Sequence, residues 1–113
     1  MGVENNECVL ATTYDEKVVF GIKLWVQSLD AQSRSLFAFV PTIVNRKTTI
    51  ILAPDGSKKG WDTADKIATL RDEFIEILKA DDSVSWVEVG YGEFGQTILR
   101  GNCVNRFNDK PYA

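Results

Sequence analysis

The sequence contains no histidine. That removes the commonest general base near neutral pH, together with the Ser–His and Cys–His pairs that activate nucleophiles. It has only two cysteines, Cys8 and Cys103, at opposite ends of the chain. A structural zinc site needs four closely spaced Cys or His ligands, so none is legible here. The residues therefore nominate no catalytic group, no metal ligand and no cofactor. Both cysteines read as free, buried thiols in strands, with no cation close enough to activate either. A bridge between them belongs only to an oxidising compartment.

Long apolar runs are also missing: nothing approaches the roughly 20 residues that cross a bilayer. The start, Met1-Gly-Val-Glu-Asn-Asn-Glu-Cys8, has neither the basic opening nor the apolar centre of a secretory signal. Asn6 stands where a myristoylation motif wants Ser or Thr. These absences give the expectation of a soluble, cytoplasmic protein without a membrane partner.

What is present is ordinary globular material: 113 residues, 44% hydrophobic and 26% charged. That length suits one domain over residues 1–113, with a polar tail from about 105 expected to be loosely held. Residues 8–14 and 17–27 read as a hairpin through Asp15-Glu16. In the second segment a period of two puts Val18, Phe20, Ile22, Leu24 and Val26 on a core face, and Lys23, Trp25 and Gln27 on a wetter one. Two more strands, 36–40 and 47–53, follow, the first ending at Pro41 or lying at a sheet edge because proline cannot donate to a ladder.

Residues 62–80 give the clearest pattern. Ala64, Ile67, Ala68, Leu70, Phe74, Ile75, Ile77 and Leu78 fall on one half of a helical wheel, with Asp62 or Thr63 as N-cap. Strands over 84–91 and 96–103 complete the chain. The expected fold is α+β: a mostly antiparallel sheet in ββββ-α-ββ order with one amphipathic helix packed on it.

Three features bear on function. Gly90-Tyr-Gly92-Glu-Phe-Gly95 spells a nucleotide-site signature, but a strand follows it where the dinucleotide version needs a helix, so a glycine-rich hairpin is the plainer reading. Gly56-Ser-Lys-Lys-Gly60 precedes a helix but lacks the Gly-Lys-Ser/Thr ending of a phosphate loop. Charge is uneven: residues 55–93 hold ten acids and five bases, while residues 1–54 hold five of each. An acidic helix surface argues against nucleic-acid binding, which uses Lys and Arg to neutralise phosphates.

The leading expectation is thus a small non-enzymatic protein-binding module of the inhibitor or immunity type. It would dock another, basic protein through Asp72, Glu73 and Glu76, with the plain alternative that these simply face water. Arg71 is the only charge inside the helix's apolar arc, and Glu88 and Glu93 are its nearest acids by pattern. It serves either as a structural pair or as a fork for an anionic ligand. Trp25 and Trp61 complete the candidates, the first beside Lys23 and Gln27, the second expected to staple the helix start. The rival reading is a small-molecule or catalytic domain with a helix–sheet pocket rimmed by Gly90–Gly95. Homo-oligomerisation through a bare sheet edge or the Trp25 face is a third.

Overall fold

The computed structural model describes residues 5–58, 60–93 and 95–103; the expected loose tail from 105 lies outside them. Strand β1 (Asn5–Thr13) leads into helix α1 (Glu16–Gln27) and a single turn of helix, α2 (Ala31–Arg34). Strands β2 (Phe37–Pro41) and β3 (Thr48–Leu52) form a hairpin, followed by helix α3 (Asp62–Lys79). A second hairpin, β4 (Ser85–Gly92) and β5 (Gly95–Gly101), completes the described chain. All five strands join one sheet in the order β2-β3-β1-β4-β5, and every neighbouring pair is antiparallel.

The α+β class is as expected; the ββββ-α-ββ order and the single helix are not. Residues 17–27 form helix α1 instead of a strand. Asp15 caps it, its side chain accepting from the Lys17 amide at 2.9 Å, and Glu16 adds a favourable negative charge in the first turn. The apolar residues of this segment satisfy both periods, and burial decides between them. Val19, Ile22 and Val26 are buried at helical spacing, whereas Phe20 and Leu24, expected in the core, face solvent.

With α1 a helix, β1-α1-β2 and β3-α3-β4 each place two parallel strands on either side of a third. The result is two interleaved split β-α-β units, the arrangement called ferredoxin-like, with β5 added at the edge. Such a fold hosts many functions and identifies none.

Helices α1 and α3 pack on the same side of the sheet. Ile22 and Val26 of α1 and Ile67, Leu70, Phe74, Ile75 and Leu78 of α3 share one core with Val9, Ala11, Ile50, Leu52 and Trp86 of the strands. Burying each such side chain contributes about 1.5–3 kcal/mol. Trp25 stacks on Phe74 at 5.9 Å between centroids, and Phe37 meets Phe74 edge-on at 5.2 Å. Trp25 therefore sits on a helix and ties α1 to α3 and β2, in place of the wet strand face expected for it. Neither Asp62 nor Thr63 is the N-cap of α3: Trp61 holds that position, makes no side-chain cap bond and is exposed.

Candidate functional site

Glu88 lies on the helix-covered face of β4 and is only 3% exposed. A carboxylate there must be paired, because leaving it unpaired costs several kcal/mol. Arg100 of β5 meets it with Nε at 2.6 Å from Oε1 and Nη2 at 3.1 Å from Oε2. The same Nη2 donates to Asp72 Oδ1 of α3 at 2.8 Å. Between Glu88 and Val89 the β4–β5 register shifts, with Leu99 of β5 as the extra residue, which sets Arg100 opposite Glu88. On the other side, Arg71 Nε lies 3.6 Å from Glu88 Oε2, and Arg71 Nη2 lies 2.9 Å from Glu7 Oε2 of β1. Glu88 and Asp72 together raise the pKa of the Arg100 guanidinium further, Glu88 contributing more.

This chain of five charges joins α3 to β1, β4 and β5. Its carboxylates are engaged and its guanidiniums stay charged, so its geometry is that of a tie between layers. Of the two acids expected near Arg71, Glu88 is its partner; the second is Glu7, not Glu93. Asp72, Glu73 and Glu76 are all exposed on α3, but Asp72 is engaged by Arg100, and Glu76 contacts Lys79 at 3.3 Å. The acidic helix face is thus partly neutralised from within.

The glycine signature falls in the β4–β5 hairpin, where Gly95 has a φ of 115°. It rims a shallow cleft of about 260 Å³ with Glu7, Gln96 and Leu99. A separate cleft of about 290 Å³ lies beside Arg71, with Glu7, Asp55 and Asp65 on its walls. A larger one, about 730 Å³, opens between α1 and the β2–β3 hairpin near Phe20, Lys23 and Arg46. At the tip of that hairpin Ile43 and Val44 stand in solvent. Both cysteines are free. Cys8 is buried, and burial pushes its thiol pKa up against the opposing pull of Arg71. Cys103 is exposed and lies beyond β5, not buried in a strand as expected.

The feature that sequence periodicity missed is the other face of the sheet. Alternation places Asn6, Cys8, Leu10 and Thr12 of β1 opposite the helix side. Pairing in register carries this face to Ser85, Val87, Val89 and Tyr91 of β4, and to Thr49 and Ile51 of β3. It continues to Ala38 and Val40 of β2 and to Gln96 and Ile98 of β5. None of these residues is charged. Antiparallel sheets with one wet side normally show polar residues outward, and this face departs from that pattern by carrying many apolar residues. No described helix packs there; among the described residues one sheet carries one helical layer. Tyr91, Ile98 and Val40 are 45%, 63% and 47% exposed.

Among the described residues no group of three or more Cys, Asp or Glu is placed to hold a metal ion, and no helix is long and apolar enough to cross a membrane. Compared with known proteins, the chain matches no family model, no curated protein and no solved structure.

Proposed function

We propose that this protein is a non-enzymatic protein-binding module whose docking surface is the open face of the sheet. The single observation that carries this reading is the uncharged, largely apolar character of that face across all five strands. Contiguous exposed apolar surface of this kind marks interaction sites on soluble proteins. The acidic helix is the weaker surface for docking because Asp72 and Glu76 already have intramolecular partners.

Site-specific photo-crosslinking in the cell of origin tests the choice. A photoreactive residue replaces Tyr91 on the open face or, separately, Glu73 on α3. Adducts of defined mass are expected from position 91 and not from position 73. Adducts from position 73 alone would return the docking surface to the helix. Adducts from neither would remove the binding function.

A further inference from the structure

Resting on that reading, we infer that the occupant of the open face is a second copy of this chain, packed sheet to sheet about a two-fold axis. The lack of charge is the first reason. A partner recognised by electrostatic complementarity needs charges to complement, and the described residues of this face offer neither sign. The surface that complements a flat, uncharged, β-branched sheet is another such sheet, and the chain itself supplies one. Two twisted sheets pack about 10 Å apart with strands some 30° off parallel, side chains of one interleaving with those of the other.

Area is the second reason. Five strands at about 4.8 Å spacing and seven residues at about 3.3 Å rise give a face of roughly 550 Å². A pair of copies therefore covers roughly 1,100 Å² of planar area. Side chains standing out of the plane add to that, bringing the total into the range of about 1,200–2,000 Å² typical of specific interfaces.

Chemistry at the centre is the third. Cys8 and Val89 pair at the middle of the sheet, with Leu10 and Val87 beside them. A two-fold axis through this region would bring the aliphatic groups of Leu10, Val87 and Val89 together above the buried Cys8, with Asn6, Gln96 and Ser85 toward the rim. That is the apolar centre and polar margin found in homodimers. Each face residue is used twice in such an interface, so one substitution places two altered side chains in it.

Sedimentation velocity on the full chain tests this, with Val89→Lys at the face centre and Tyr91→Lys on exposed ground. The unsubstituted chain should sediment at twice its 12.7 kDa mass at micromolar concentration. Val89→Lys should raise the dimer dissociation constant at least about 100-fold, because two lysines then face each other in apolar surroundings. Tyr91→Lys, whose site is already solvated, should raise it about tenfold without disturbing folding, and decides the matter if Val89→Lys fails to fold. A monomer at 100 µM, or a dimer that both folded variants leave intact, overturns the inference. Hydroxyl-radical footprinting of a monomer separates the two failures. Leu10 and Tyr91 labelled freely leave the docking face intact with a different partner, whereas both protected mean the chain covers its own face and the binding reading falls too.

Discussion

At Glu88 burial and charge conflict, and two arginines resolve the conflict unequally. Arg100 donates twice to the carboxylate, while Arg71 sits a little beyond hydrogen-bond range and leans on Glu7. Arg100→Met should therefore cost about 2 kcal/mol, discounted because its guanidinium is partly in water. Arg71→Met should cost about 1 kcal/mol. With both gone Glu88 has no cation, and the double variant should lose about 4–5 kcal/mol, more than the two singles together. Urea unfolding of the three variants measures this; simple additivity would mean that Glu88 does not depend on the pair. Glu88→Gln added to the double variant should recover part of the loss. Arg71 and Glu88 were legible in the sequence, one as a charge inside an apolar arc and the other through strand alternation. Glu7 and Arg100 were not. Their roles depend on β1 pairing with β4 and on the bulge in β5, both long-range facts that no local period records.

Helix α1 shows the same limit at the scale of an element. Its run of valine, phenylalanine and isoleucine has strand propensity, and alternation fits it as well as a 3.6-residue period does. Packing against α3 through Trp25 and Phe74 overrides that propensity. Two local signals did favour a helix: the Asp15-Glu16 start, and a length beyond that of most strands. By contrast α3 and the β2–β3 and β4–β5 hairpins could be read directly, because their periods are unambiguous and their turns carry Pro, Asn and Gly. Helix and strand assign opposite fates to two neighbouring positions. Ile22→Ala should cost about 2–5 kcal/mol, since Ile22 is 1% exposed in the core. Phe20→Gln should change stability by less than about 0.5 kcal/mol. Equal losses at both sites in thermal or urea unfolding would contradict the helix.

Among the described residues charge is segregated from one face of the sheet. The helical side carries Asp30 held by Lys66, with its carboxyl well below the usual range, and the Glu7–Arg71–Glu88–Arg100–Asp72 chain. Among the described residues, the bare side of the sheet carries no charge. Sequence could reveal an acidic helix because its residues are neighbours along the chain. The uncharged face draws on all five strands and exists only once their order is known. This segregation separates the two docking surfaces by their response to salt. Association through the open sheet removes no charges from water, so its dissociation constant should vary less than about twofold between 0.05 and 0.5 M salt. Docking through Glu73 and Glu76 would weaken severalfold or more over the same range, because exposed charges are screened. The double variant Glu73→Lys with Glu76→Lys sharpens the contrast. Both side chains point away from the sheet, so this variant should keep the dimer mass and affinity of the unsubstituted chain. Sedimentation velocity at the two salt concentrations measures both effects. A dimer that weakens steeply with salt, or that the charge reversal abolishes while the protein stays folded, would move the contact to the helices.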